Sequence, residues 1–475
     1  MSDDTSDAVP QAPRRSIMQS LDIDTRLLGM IGAFAVICII FNVLTDGRFL
    51  TSRNIFNLTI QTVSVAIMAT GMVFVIVTRH IDLSVGAMLA TCSAMMAMTQ
   101  TAWLPTYLGI EVGSPLIPVI TIALGIVVGA AIGAAQGWLT GYITIPAFIV
   151  TLGGLLIWRN IGWQITDGQT IGQLDQTFLL FGGINGTLGR TASAALGYAA
   201  IAVSVFALFR ARAAKLSHGF PVKPMWAEVA TATIISGAIY GFVAILNNYE
   251  VPERVIARDF ESYGCASAEG CTAYYGLPIS VLLLIAVAIG MTIIANQTRL
   301  GRYIFAAGGN PDAVELAGID PKILTVKVFA IMGALVGLSA VVASARLSVH
   351  SNDIGTLDEL RVIAAAVIGG TALKGGIGTI HGAILGALIM QSLQSGMAMV
   401  GVDAPLQNIV VGAVLIAAVM IDIAYRDATK RPMVLVLSLI AIAGGAAMFG
   451  TYIVAVVAAL GAVAGFVFFQ RKGAF

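Results

Sequence analysis

Ile117-Pro118-Val119-Ile120-Thr121-Ile122-Ala123-Leu124-Gly125-Ile126-Val127-Val128-Gly129-Ala130-Ala131-Ile132-Gly133-Ala134-Ala135-Gln136-Gly137-Trp138-Leu139-Thr140-Gly141 carries no charged residue. At ~1.5 Å per helical residue it is long enough to cross the roughly 30 Å hydrocarbon layer of a membrane. Gly125, Gly129, Gly133, Gly137 and Gly141 recur every fourth residue. That spacing puts them on one helix face, where absent side chains let a neighbouring backbone approach closely. The stretch predicts a membrane helix with a packing seam, and Gly378, Gly382 and Gly386 repeat the pattern later in the chain.

Outward from this stretch the composition is the same in kind. The 475 residues are 58% hydrophobic and 11% charged, with a mean hydropathy of +0.91; soluble domains carry about a quarter charged residues. Apolar runs cover 27–44, 58–78, 84–104, 117–141, 145–158, 192–209, 227–246, 279–295, 324–345, 360–370, 380–400 and 409–425. The block 433–469 is too long for one crossing and reads as a hairpin turning near Gly450 and Thr451. The expected fold is all-α: a polytopic transmembrane helical bundle with broken or re-entrant helices and about 12 to 14 membrane segments. Its parts are a tail over 1–26, one transmembrane domain over 27–425, and a C-terminal apolar hairpin with a short tail over 433–475.

Charge placement orients the bundle. Lys plus Arg (26) nearly cancels Asp plus Glu (25), which argues against a nucleic-acid partner. The first residues, with Asp3, Asp4 and Asp7, are not expected to be a removable signal peptide. Short cytoplasmic loops hold Lys and Arg, and Arg210, Arg212, Lys215 and Lys223, then Arg426, Lys430 and Arg431, then Arg471 and Lys472 fall on one side. Both termini are thereby expected in the cytoplasm, with 299–323 on the same side and the polar segments 161–190 and 250–277 outside; Arg48 and Arg53 run against this rule. In an oxidising exterior Cys265 and Cys271 could pair, whereas Cys38 and Cys92 lie inside apolar runs.

Two polar or Gly-rich interruptions mark broken helices, because irregular backbone at membrane depth survives only inside protein or along a water-filled cavity. One is Arg79-His80-Ile81-Asp82-Leu83-Ser84-Val85-Gly86; the other is Gly369-Gly370-Thr371-Ala372-Leu373-Lys374-Gly375-Gly376-Ile377-Gly378. They suggest corresponding halves of an internally repeated transporter. His80, Asp82, Ser84, Gly86 and Thr371 are the candidate pathway residues. Asp82 has three readings: it hydrogen-bonds passing hydroxyls, caps a helix start, or pairs with Arg79 or His80.

No G-x-x-x-x-G-K-[ST] cradle for nucleotide phosphates occurs, so energy must come from outside the chain. The histidines His80, His218, His350 and His381 lack metal-site spacing, and no hydrolase motif is present. No metal, no cofactor and no catalytic residue are expected. Between two apolar runs, Asn310-Pro311-Asp312-Ala313-Val314-Glu315-Leu316-Ala317-Gly318 reads as a short helix with Asn310 as N-cap, Pro311 at the first helical position and Gly318 as terminator.

Three ordered stretches carry a resemblance. Gly301-Arg302-Tyr303-Ile304-Phe305-Ala306-Ala307-Gly308-Gly309-Asn310-Pro311-Asp312-Ala313-Val314-Glu315-Leu316-Ala317-Gly318-Ile319, Ile81-Asp82-Leu83-Ser84-Val85-Gly86 and Gly369-Gly370-Thr371-Ala372-Leu373-Lys374-Gly375-Gly376-Ile377-Gly378 resemble the motifs of monosaccharide ABC-transporter permeases. Val314 and Ala372 depart from those motifs. The Thr78-Arg79-His80 lead-in and the chain length are most similar to the xylose type. The resemblance implies a non-catalytic permease subunit that imports a monosaccharide, D-xylose or a similar pentose or hexose, across the inner membrane. It also implies a second permease copy, a cytoplasmic ATPase that binds ATP and magnesium, and a periplasmic sugar-binding protein. Gly309, Asn310, Pro311, Glu315 and Gly318 would then form the coupling helix for the ATPase. The rival class is an ion-gradient-driven secondary transporter, which calls for carboxylates well inside the spans, whereas Asp82, Asp358 and Asp422 fall near predicted span ends.

Overall fold

The structure, a computed structural model, describes residues 25–257, 267 and 269–426. The expected tail over 1–26 is thereby almost wholly outside the described residues, as are the C-terminal hairpin over 433–475 and Cys265, one member of the Cys265–Cys271 pair. Described residues form helices α1 (Thr25–Leu44), α2 (Ser52–Val77), α3 (Val85–Met98), α4 (Leu116–Gly141), α5 (Ala147–Ile165), α6 (Gly189–Ser217), α7 (Met225–Asn247) and α8 (Ile279–Gln297). They continue with α9 (Arg299–Gly309), α10 (Pro311–Leu316), α11 (Pro321–Leu347), α12 (Asp358–Ile368), α13 (Ile380–Met399) and α14 (Ala404–Arg426). Eight of them are long and apolar enough to cross a membrane, and the chain is a polytopic helical membrane protein. The segment expected over 84–104 runs further: α3 continues as a π-helix over Thr99–Leu108, with Pro105, which has no N–H to give to a helical ladder, inside it.

Helices α2 and α11 form the centre. The most apolar stretch of α2 is 94% buried, so it faces protein instead of lipid. Where the two helices cross, Ser64 Oγ lies 2.7 Å from Ser339 Oγ, and the Ser339 hydroxyl donates to the Ser64 carbonyl at 2.9 Å. Interhelical hydrogen bonds of this kind are worth about 0.6 kcal/mol each in membrane proteins. The glycine face of α4 lies along α11. A Cβ added at Gly129 would fall onto the Gly333 carbonyl, one at Gly133 onto the Phe329 carbonyl, and one at Gly137 within 2.8 Å of the Val326 Cα. Gly125 faces both Met96 of α3 and Gly337, and Gly141 lies against Lys322. The later set is distributed differently: Gly382 and Gly386 meet Gly369 and Ala365 of α12, while Gly378 faces Val73 and Val77 of α2.

Helix α12 is short and follows an irregular segment. After α11, Ser348, Gly355 and Leu357 take positive φ, and the segment turns inward along α3. His350 Nδ1 meets Ser93 Oγ at 3.0 Å, and further on Gly355 packs on Gly86. Helix α12 starts there, buried at Asp358 and Glu359, and α13 returns antiparallel to it. On the periphery, α6 and α7 pack on each other and expose Leu196, Val203, Phe206, Val229, Ile234 and Tyr240, an apolar surface suited to lipid.

Gly133→Ala is expected to destabilise the protein, because its methyl group would meet main chain that cannot turn aside, and overpacking of this kind costs about 1–3 kcal/mol. Gly241→Ala, with nothing within 4 Å of the added Cβ, is expected to be neutral or slightly stabilising. Thermal unfolding of both variants in detergent checks the contrast; equal midpoints would remove the seam's structural weight.

Candidate functional site

The segment that links α8 to α11 contains two helices, where the residue pattern predicted one. Thr298 begins α9 by accepting from the Gly301 N–H at 3.2 Å. Along α9, Gly301, Ile304 and Gly308 are buried. Asn310 breaks the run with φ −148° and starts α10, its side chain accepting from the Ala313 N–H at 3.1 Å. Pro311 occupies the first turn, where a missing N–H is harmless. Gly318, at φ +80°, lets the chain leave the helix, and Asp320 caps α11 by accepting from the Lys322 N–H at 2.8 Å. Helix α10 is anchored by buried Val314 and otherwise stands in the open: Asp312 and Glu315 are exposed, and Leu316 is 90% exposed. The exposure of Leu316 on a capped helix is a feature that residue types alone did not single out.

The base of this elbow is where α9 meets the end of α2 and the 369–378 stretch. Arg79, at the end of α2, donates from Nε to the Gly308 carbonyl at 2.9 Å and from Nη2 to the Gly309 carbonyl at 2.8 Å. The Gly376 N–H donates to the Val77 carbonyl at 3.0 Å. Gly308 touches that same carbonyl so closely that a Cβ would overlap it, and Gly375 is packed against Arg79 Cγ and the Gly308 carbonyl. Arg79 is therefore not the partner of Asp82.

Asp82 is fully buried and accepts from the Ser84 N–H at 2.8 Å and the Ser84 hydroxyl at 2.6 Å. The N-cap position of α3 is held by Ser84 rather than Asp82, so the carboxylate fixes the turn ahead of the helix. Gln136 of α4 donates to Ser84 Oγ at 3.0 Å, and Thr151 of α5 donates to the Ile81 carbonyl at 3.3 Å. The His80 ring packs on Phe329 with centroids 5.9 Å apart. Gly86 has main-chain contact with Gly355, and a Cβ there would also meet Glu359 Oε2 at 2.5 Å. Thr371, by contrast, is buried in the Gly369–Gly378 stretch, away from this set, with its hydroxyl unpartnered. The break at 82–86 thus faces 354–359, whereas the 369–378 stretch meets the end of α2 and α9.

Around the 82–86 break lie charges that the sequence pattern did not gather. Arg159 of α5 donates from Nη1 to the carbonyls of Asn352 and Ile354, both at 2.8 Å, and lies within Coulombic reach of Asp353, Asp358 and Glu359. Arg361 pairs with Asp358 at 2.8 Å, and Arg346 also feels the charge of Asp358. Asp82 and Asp358 lie next to helix starts, as their positions suggested, and both are buried; the side chain of Asp422 lies outside the described residues. Arg159, Arg346 and Arg361 offset Asp353, Asp358 and Glu359, so these three carboxylates form a balanced network. The available signal was the placement of these charges in or beside apolar runs. Their convergence needed the fold.

Removing one member of a buried ion network leaves an uncompensated charge at a cost of about 3–5 kcal/mol. Half-buried Arg159 is expected toward the low end: Arg159→Met should lower the thermal midpoint, and Arg159→Met with Glu359→Gln should recover part of the loss. Additive losses in the double variant would show that the two charges do not interact.

The family described as "Branched-chain amino acid transport system / permease component" matches residues 54–216 and 221–419. The xylose transport system permease protein of Escherichia coli strain K12 is 35% identical over 433 residues, covering 89% of this chain and 97% of the relative. The xylose transport system permease protein of Haemophilus influenzae is 35% identical over 395 residues, with 83% and 95% covered. The ribose import permease protein of Escherichia coli strain K12 is 30% identical over 375 residues, with 79% and 87% covered. No solved structure matches the chain.

Proposed function

Because the chain belongs to this transport-system permease family, among the permeases of sugar ABC transporters, we propose that it imports a monosaccharide across the bacterial inner membrane, with D-xylose or a similar pentose or hexose as substrate. Its relatives are permease components, and the chemistry of ATP hydrolysis belongs to a partner ATPase that binds ATP and magnesium. Two copies of the permease enclose the pathway, a periplasmic sugar-binding protein delivers the sugar, and both termini lie in the cytoplasm.

The observation that carries the reading is the elbow at α9 and α10. A docking helix must be presented outward yet held firmly to the spans, or it would yield instead of transmitting force. Helix α10 is capped at Asn310, exposes Leu316 and Glu315, and continues through Asp320 directly into central α11. His80, Asp82, Ser84, Gly86 and Thr371 stay candidates for the route. Gly86 contributes through close packing against Gly355, because its face is filled by main chain.

Reconstitution of the full chain in liposomes with its ATPase and binding protein tests this. ATP-dependent uptake of labelled D-xylose is expected, and Leu316→Asp is expected to weaken ATPase association by about tenfold, or about 1.4 kcal/mol. Pro311 and Glu315 variants should weaken coupling without affecting insertion. Uptake that follows an ion gradient and ignores ATP would overturn the proposal.

A further inference from the structure

We infer that Arg79 is a positioning residue that ties the docking elbow to the membrane body and carries the displacement of α10 into α2 and the α12–α13 arm. This rests on the reading of α10 as the helix that meets the ATPase. The carbonyls of Gly308 and Gly309 belong to the last turn of α9, where a helix leaves C=O groups without intrahelical partners and its dipole is negative. The Arg79 guanidinium supplies two N–H donors in a fixed fork and a permanent positive charge to that end. A bond to two successive carbonyls restrains rotation of α9 as well as its distance from α2.

The backbone at Arg79 makes the choice of residue informative. Its φ is +65°, a left-handed conformation that glycine adopts most readily and that commonly ends a helix. By main-chain preference this is a glycine position. An arginine there is disfavoured by its own backbone and is accounted for by what its side chain reaches. Around it the contacts are main chain to main chain: Gly308 on Val77, Gly376 N–H to the Val77 carbonyl, and Gly375 and Gly376 at φ +86° and +77° against Gly308 and Gly309. Three chain segments therefore come to one point, with the Arg79 side chain bridging α2 to α9. From Gly375 and Gly376 the chain leads back to α12, whose buried start faces Gly86 and the charge network, so a shift of α9 has a continuous packed route toward the candidate pathway.

The test uses the full permease reconstituted with its ATPase and binding protein, with D-xylose as the transported probe and ATP hydrolysis measured in the same vesicles. Arg79→Ala is expected to retain ATPase association and hydrolysis while the xylose moved per ATP falls at least about fivefold, a change of about 1 kcal/mol. Arg79→Lys, which keeps the charge but lacks the fork, should fall between that variant and the parent. A merely structural role would reduce the amount of folded permease and leave the ratio unchanged, so an unchanged ratio in Arg79→Ala overturns the inference. If Arg79→Ala does not accumulate in the membrane, Arg79→Lys decides: a lowered ratio supports the inference and a parental ratio overturns it. Leu316→Asp run in parallel separates the two ideas. Intact ATPase association in that variant removes the docking reading, whereas its loss together with an unchanged Arg79→Ala ratio removes the Arg79 role alone.

Discussion

Along α4 and α11 two main chains touch with almost no side chain between them. Gly125, Gly129, Gly133 and Gly137 on one helix meet Gly337, Gly333, Phe329 and Val326 on the other. In a bilayer, lipid tails are as apolar as leucine, so close packing must supply what the hydrophobic effect supplies in water. Contact at this distance gathers many small dispersion gains. Helix α11 is thereby the central wall: α2 crosses it at Ser64 and Ser339, α3 fills the angle, and the elbow at α10 joins its beginning through 317–320.

The broken helices follow from that wall. With α2, α3 and α11 occupying the interior, the chain after Leu347 enters beside α3 and stops at Gly355, where Gly86 offers bare main chain. Several polar groups there find local partners: one Asp82 oxygen accepts from Ser84, the Asn352 and Ile354 carbonyls accept from Arg159, and Asp358 pairs with Arg361, while Asp82 Oδ2 and Glu359 Oε2 are buried without a hydrogen-bond partner. Irregular backbone is tolerated at depth because protein donors stand in for water. The same balance weakens a reading in which these carboxylates bind driving cations, since each acid in the network has an arginine near it.

At the other end, the stretches around Arg79, Gly308 and Gly375 form one junction between the membrane helices and an exposed, capped helix. A sugar permease must convert an event at its surface into a change among its spans, and packed elements move as units instead of bending. The junction is built of glycine main chain with a single long side chain across it, a compact arrangement with little slack.

Much of this was legible in residue order. Apolar length gave the spans, because a bilayer sets a minimum run. Fourfold glycine spacing gave the packing face of α4. Asn310, Pro311 and Gly318 gave α10, because caps act through local hydrogen bonds and φ angles that depend on a few neighbouring residues. Polar and glycine-rich interruptions marked the breaks at 79–86 and 369–378. Only the tertiary structure decided which surfaces meet: that the α4 glycines face α11, that 82–86 faces 354–359, that Arg79 reaches Gly308 and Gly309 and not Asp82, and that six charges from separate segments neutralise one another. Local sequence determines what a helix can offer to a partner. Which partner takes the offer depends on packing all helices at once, and that constraint is carried by no single stretch.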